Sequence, residues 1–179
     1  MTSLQEVYAL FLASSGIETD TRKPVLNTLF FALKGPSFDG NAFAKNAIEK
    51  GALAAIVDRP EIAKEHQNCY LVADVLQTLQ ALANYHRTQF DIPVIALTGS
   101  NGKTTTKELI AAVLLTTHRV LATKGNLNNH IGVPLTLLQL NQKHTHALIE
   151  MGANHIGEID FLCTIAEPTH GLITNVGKA

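Results

Sequence analysis

Charge is scarce in this chain and evenly split. Only 16% of its 179 residues are Asp, Glu, Lys or Arg, against ~25% in an ordinary globular protein. Fourteen Lys and Arg face fifteen Asp and Glu, a net charge of −1. That balance argues against a nucleic-acid partner bound through phosphate neutralisation, and against a polybasic membrane-surface protein. Cysteine is scarcer still. Cys69 and Cys163 stand alone without CxxC spacing, so no disulfide framework is expected. Long apolar runs are missing as well: Val7–Ala13 and Leu109–Leu115 reach seven residues each, where a bilayer span needs ~20. No Lys or Arg precedes Arg22, so a signal peptide's basic n-region is lacking. The expectation is a soluble, cytoplasmic protein without membrane insertion.

What remains is ample apolar material. Hydrophobic residues make up 46% of the chain, and a chain of this length buries roughly 70% of its unfolded surface without a metal or disulfide staple. One domain or two small ones are expected. Leu4, Val7, Tyr8, Phe11 and Leu12 recur at helical spacing, with Gly16 as the stop. Extended stretches follow at Ile17–Thr21 and Thr28–Leu33. Asn41 reads as the N-cap of a helix with Phe43, Ala44, Ala47 and Ile48 on its buried face and Gly51 at its end. Leu53–Val57 and Cys69–Ala73 have strand length, and Pro60 suits the first turn of a short helix between them. Asp74 and Gln77 resemble a capping box for a helix burying Val75, Leu76, Leu79, Leu82, Ala83, His86 and Phe90. His86 there reads as a core or boundary histidine rather than a ligand.

Asp91-Ile92-Pro93 marks a linker, and a second pattern begins after it. Strands are expected at Val94–Leu97, Arg119–Ala122, Ala147–Met151 and Leu172–Asn175. Helices are expected through Leu115, from Pro134, and over Glu158–Ala166. Alternating strands and helices imply an α/β fold with a parallel, doubly wound sheet. The expected domains are residues 1–91 and 92–179.

Between the first of those strands and its helix lies Thr98-Gly99-Ser100-Asn101-Gly102-Lys103-Thr104-Thr105. Glycines there let backbone N–H groups converge on phosphate oxygens, and the helix N-terminus adds positive potential. Lys103 would neutralise the β- and γ-phosphates and the Thr104 hydroxyl would ligate Mg²⁺. The alternative is a glycine-rich turn that merely opens a helix; the strand–loop–helix placement favours nucleotide binding. Leu97 stands where the general GxxxxGK[ST] pattern has glycine, so the loop is a shorter one than in most GTPases and kinases.

Glu150 ends a predicted strand, where open α/β sheets place ligands. It is either a Mg²⁺ carboxylate or a solvated strand end. The segment from Gly125 to Pro134, dense in Asn and Gly, is either a substrate loop or a turn.

Four segments taken together resemble the Mur ligases, the ATP-dependent enzymes that build the peptide stem of bacterial peptidoglycan. They are the Thr98–Thr105 loop, Asn126-Leu127-Asn128-Asn129-His130-Ile131-Gly132-Val133-Pro134, Glu150-Met151-Gly152-Ala153-Asn154, and Thr174-Asn175-Val176-Gly177-Lys178-Ala179. Thr19-Asp20-Thr21-Arg22, Leu29–Gly35 and Asp39-Gly40-Asn41 are similar to the family's UDP-binding domain. The asparagine loop is most similar to the branch that joins D-alanyl-D-alanine to UDP-N-acetylmuramoyl-tripeptide. The branch adding the third amino acid usually carries a Thr-Thr-Pro segment there. The resemblance covers nearly the whole chain. It implies a small N-terminal αβ UDP-binding domain followed by an incomplete P-loop-type parallel-sheet ATPase domain.

It further implies ATP and Mg²⁺ as cofactors. Gly99, Ser100, Asn101, Gly102, Lys103, Thr104 and Thr105 would surround the phosphates, with Lys103 and Glu150 catalytic and Thr104 and Glu150 on the metal. Asn128 and Asn129 would lie near the muramoyl-peptide, and Asp20, Thr21 and Arg22 near its uridine end. Thr21 replaces a commoner Ser, and Asp20 with Arg22 equally suits a surface ion pair. His144 and His146 match no family role and are expected to be solvated. The sequence is similar to an N-terminal piece of a longer ligase, which implies a fragment that binds without turning over. A sibling ligase, a folylpolyglutamate synthase and a small P-loop kinase are weaker matches. The N-terminal αβ segment and Leu97 count against the kinase.

Overall fold

A computed structural model describes residues 1–177; Lys178 and Ala179, the end of the fourth family-like segment, lie outside the described residues. Two compact units divide the chain, Met1–Leu82 and Ala83–Ala179.

In the first unit Ser3 opens helix α1 (Leu4–Ala13). Its hydroxyl accepts from Glu6 N at 3.3 Å, and the Glu6 carboxylate accepts from Ser3 N at 2.7 Å. This reciprocal cap satisfies donors that the helix itself leaves free. Val7 and Phe11, a turn apart, are buried, and Gly16 leads the chain away at φ +137°. A parallel sheet follows, built from β1 (Ile17–Glu18), β2 (Leu29–Phe31), β5 (Ala54–Val57) and β6 (Cys69–Leu71) in that spatial order. Every residue of β2 and β5 is buried, as central parallel strands covered on both faces require. Each large side chain so enclosed, such as Phe31 or Ile56, stabilises the fold by ~2 kcal/mol. Between β2 and β5 run a small antiparallel hairpin of β3 (Lys34–Gly35) and β4 (Phe38–Asp39), a 3₁₀ turn at Gly40–Phe43, and α2 (Ala44–Glu49). Helix α3 (Pro60–Glu65) opens on its proline, as expected.

Two readings of this region need correction. Asn41 does not cap α2: Asp39 caps the 3₁₀ turn by accepting from Asn41 N at 2.9 Å. Asn41 is instead a buried amide, donating to Asp39 at 2.7 Å and to Asp58 at 2.9 Å while accepting from Asp58 N. Phe43, expected on the buried face, is 47% exposed. The 3₁₀ turn advances by about three residues per turn, which takes Phe43 off the stripe of Ala44 and Ala47.

Helix α4 (Val75–Thr88) contains the division between the units. Asp74 accepts from Gln77 N at 2.7 Å, as its capping pattern predicts. In the second unit β7 (Val94–Thr98), α5 (Lys103–Leu114), β8 (Val120–Ala122), α6 (Gly132–Leu137), β9 (His146–Glu150), α7 (Glu158–Ala166) and β10 (His170–Ile173) form a parallel sheet ordered β10-β7-β9-β8. Ala147, Leu148 and Ile149 on β9 are fully buried. Helix α6 starts at Gly132, two residues before the expected Pro134. Asn129 Oδ1 accepts from Ile131 N and Gly132 N and does the opening. Strand β10 likewise starts at His170 rather than Leu172. It lies at the sheet edge beside β7, so Leu172 and Ile173 are partly exposed.

His86 is a core histidine, 5% exposed, with Nε2 3.0 Å from the Leu140 carbonyl and its ring edge-on to Phe90. Burial pushes its pKa down. Beside it the buried Arg87 donates to the carbonyls of Phe90, Ala166 and Glu167 at 3.0–3.1 Å, closing the C-terminal end of α7. His144 and His146 are not solvated as expected. Both are half-buried: His144 Nδ1 accepts from Asn141 N, and the His146 ring lies 4.2 Å from that of His118. Burial lowers the pKa of both.

Candidate functional site

In the second unit β7 ends at Thr98 and α5 begins at Lys103, so the Gly99–Gly102 loop opens onto a helix N-terminus. No side chain caps α5, and the N–H groups that a helix leaves unbonded in its first turn are the donors a phosphate needs. Gly102 takes φ +78° and Gly99 +140°. A Cβ on Gly99 would stand 2.0 Å from Thr174 Oγ1, so this position needs glycine for space as well as for its backbone angle. Lys103 Nζ folds back to donate to Gly99 O at 2.5 Å.

The outer turn of the loop is fastened by the segment after β10. Ser100 N donates to Asn175 O and Asn101 N to Asn175 Oδ1, while Thr174 Oγ1 and Asn175 Nδ2 donate to Asn101 O. Gly177 N donates to Ser100 Oγ. The amides of Ser100 and Asn101 are thus committed to this clasp. The family-like Thr174–Gly177 segment has a physical task that spacing alone does not reveal.

Glu150 closes β9 at 2% exposure. Its Oε1 accepts from Asn128 Nδ2 at 3.0 Å and lies 3.5 Å from Thr104 Oγ1, and its N donates to Thr123 Oγ1 at 2.9 Å. Its Oε2 is buried without a hydrogen bond. Lys107 Nζ stands 3.7 Å from that oxygen, itself 1% exposed. The solvated-strand-end reading of Glu150 therefore fails. Hydroxyl and carboxylate oxygens converging beside a phosphate loop, one of them orphaned, suit a hard cation such as Mg²⁺. Among the described residues no three His, Cys, Asp or Glu side chains cluster as a metal cage. A cation bound by one or two protein oxygens plus phosphates needs no such cage.

The asparagine loop folds against this carboxylate. Gly152 N donates to Asn128 O at 2.8 Å, and a Cβ on Gly152 would press on the Asn128 amide at 3.0 Å. Asn129 Oδ1 is occupied in accepting from Ile131 N and Gly132 N at the start of α6. A cavity of about 540 Å³ opens here, lined by Lys103, Asn128, Asn129, His130, Asn154 and Glu158 among others. Glu158 accepts from the backbone N–H groups of Asn154 and His155, which hold its pKa down. The residues expected around phosphate, metal and muramoyl-peptide thus meet at one place.

The first unit has its own cavity, about 490 Å³, lined by Asp20, Thr21, Arg22, Phe38, Gly40 and Phe43 among others. Arg22 grips both oxygens of Asp20 at 2.7–3.0 Å and donates its own N–H as well. The Arg22 side chain foremost, then its backbone, holds the Asp20 pKa down at about 2. Asp20 and Arg22 are therefore an ion pair and a cavity wall at once.

Lys107 and Thr123 were not singled out from the sequence. The signal was present for Lys107: it lies four residues from Lys103 and four from the buried Ala111, a stripe that faces one side of a helix. Thr123, one residue beyond β8, carries no such signal.

Known proteins share this fold. A family description of the Mur ligase family catalytic domain matches residues 9–87, and one of the Mur ligase middle domain matches residues 97–179. A UDP-N-acetylmuramoyl-tripeptide–D-alanyl-D-alanine ligase of Synechocystis is 51% identical over 166 residues, covering 92% of this chain and 37% of that protein. The crystal structure of MurF from Acinetobacter baumannii superposes with a TM-score of 0.88 at 38% identity, over 99% of this chain and 41% of that one. MurF ligase from Thermotoga maritima in complex with ADP gives 0.84 at 33% identity, over 100% and 40%. This chain thus spans between a third and a half of the length of the relatives it matches. With two of the family's domains recognised in sequence and their fold reproduced in space, the chain belongs to the Mur ligase family.

Proposed function

We propose that this chain is the substrate- and nucleotide-binding part of a ligase that joins D-alanyl-D-alanine to UDP-N-acetylmuramoyl-tripeptide, driven by ATP, in the bacterial cytoplasm. Residues 1–91 bind the UDP end of the muramoyl-peptide, with Asp20, Thr21 and Arg22 at the uridine. Residues 92–179 are the first part of the ATP-binding domain. Lys103 and the first turn of α5 neutralise the phosphates and hold them in line, Thr104 and Glu150 hold Mg²⁺, and Asn128 and Asn129 meet the muramoyl-peptide. Mg²⁺ bound there supplies charge neutralisation for the transferring phosphoryl group.

In this reading the terminal carboxylate of the tripeptide attacks the γ-phosphorus and ADP leaves. The amine of D-alanyl-D-alanine then attacks the acyl carbon, loses a proton, and inorganic phosphate leaves with the former carboxylate oxygen. Phosphoryl transfer asks chiefly for positioning and charge. The observation that carries the reading is the 3.0 Å bond from Asn128 to Glu150, which joins the asparagine loop to the carboxylate at the end of β9, beside the phosphate loop. By themselves the 179 residues bind and do not turn over, since the named relatives are more than twice as long.

Calorimetric titration tests this. Binding of UDP-N-acetylmuramoyl-tripeptide in preference to the dipeptide, with Mg²⁺·ADP binding and no phosphate release, is the expected result. Equal binding of the dipeptide, or binding of folate instead, overturns the substrate assignment in favour of a sibling ligase.

A further inference from the structure

The pairing of Lys107 with Glu150 is not that of an ordinary ion pair. At 3.7 Å the Nζ is beyond hydrogen-bond reach of Oε2, although both groups are almost fully buried and contact would gain most there. Other partners hold the ammonium off. Lys107 Nζ donates to Thr123 O at 2.8 Å and meets the exposed Glu108 carboxylate at 3.1 Å. It is therefore fixed whether or not Glu150 turns towards it. On the opposite side, the groups facing Glu150 Oε1 are Asn128 and Thr104, both neutral.

One buried carboxylate and one buried ammonium sum to zero, and Glu108 is largely solvated, at 69% exposure. A divalent cation gains little from a site of zero net charge, because the ammonium repels what the carboxylate attracts. Resting on the reading of Glu150 as a metal ligand, we infer that Lys107 makes metal binding conditional on nucleotide. Its charge cancels that of Glu150, so the cation is retained only when phosphates add negative charge beside Lys103. Without nucleotide the protein holds the cation only weakly and keeps a compensated carboxylate in the meantime.

Manganese is the probe, read by the loss of its free six-line paramagnetic resonance signal on titration of the whole chain, with and without ADP. Wild type binds Mn²⁺ weakly alone and more tightly with ADP. Lys107→Met and Lys107→Gln bind Mn²⁺ alone on the order of tenfold more tightly and lose most of the dependence on ADP. Lys107→Arg, which keeps the charge, behaves as wild type. Lys107→Gln retains a donor for the Thr123 carbonyl and serves if the methionine variant does not fold, as circular dichroism reports. Unchanged or weaker Mn²⁺ binding in the folded neutral variants overturns the inference, as does tight Mn²⁺ binding by nucleotide-free wild type. Glu150→Gln separates the two readings. If it leaves Mn²⁺ binding with ADP intact, Glu150 is not a ligand and both readings fall. If it abolishes that binding while the neutral Lys107 variants match wild type, only the role of Lys107 falls.

Discussion

Lys103 Nζ and Gly99 O stand 2.5 Å apart, so the ammonium proposed to meet a nucleotide's phosphates rests on a carbonyl of its own loop. The bond keeps a partly buried cation satisfied until a stronger acceptor arrives, and charge-assisted bonds to phosphate are stronger than one to a neutral carbonyl.

Replacing Lys103 by Ala removes that acceptor exchange. Charge-assisted bonds are worth about 1.5–3 kcal/mol, so Mg²⁺·ADP affinity measured by calorimetry falls tenfold or more. The far-ultraviolet circular dichroism spectrum stays that of wild type. In the full-length ligase proposed above the same change abolishes turnover, and activity near the wild-type rate would sink the role proposed for Lys103.

Gly99→Ala acts through the clasp rather than the charge. The new methyl meets Thr174 Oγ1 at 2.0 Å, at a φ of +140° that alanine rarely adopts. Strain and overpacking of this kind cost about 1–3 kcal/mol, read as a lower urea midpoint together with weaker nucleotide binding. Gly102→Ala, with open space around its Cβ position, loses only the backbone part.

His86 makes stability depend on pH. Burial lowers its folded pKa, so the unfolded chain, with a histidine pKa near ~6.5, takes up the proton first as pH falls. Stability is complete above that value and declines as pH drops from it towards the folded pKa. Urea unfolding at about pH 8 and about pH 5.5 detects the decline. His86→Gln flattens the slope without removing it, because His144 and His146 are shifted in the same direction.

Arg22→Ala releases Asp20. The wild-type carboxyl titrates at about 2 because the Arg22 side chain and N–H hold it ionised. In the variant the midpoint, followed by carbon-13 resonance of the carboxyl group, climbs back towards the ordinary aspartate range. If UDP binds in that cavity, its affinity drops in the same variant.

The strands and helices were largely legible in the sequence because their periodicities are set by burial. The apolar run around Ala54–Val57 and the Val94–Leu97 run became strands, and the glycine-lysine loop fell between strand and helix as its chemistry demands. Boundaries set by side-chain capping were less legible. Asp39 rather than Asn41 stops the chain before α2, and Asn129 opens α6 from three residues away. Least legible were groups brought together by tertiary structure. Lys107 and Thr123 lie 16 residues apart in sequence, and nothing local at Thr123 announces a partner.

The clasp on the phosphate loop has a consequence for the order in which the protein is made. The amides of Ser100 and Asn101 are both answered by Asn175, 74 or more positions later. A growing chain that has emerged only as far as β9 holds the loop's complete sequence but not its final shape. The loop acquires that shape late, when β10 has docked beside β7 and Asn175 follows it out of the ribosome. The proposed phosphate loop is therefore not in its final shape until the chain through Asn175 has emerged.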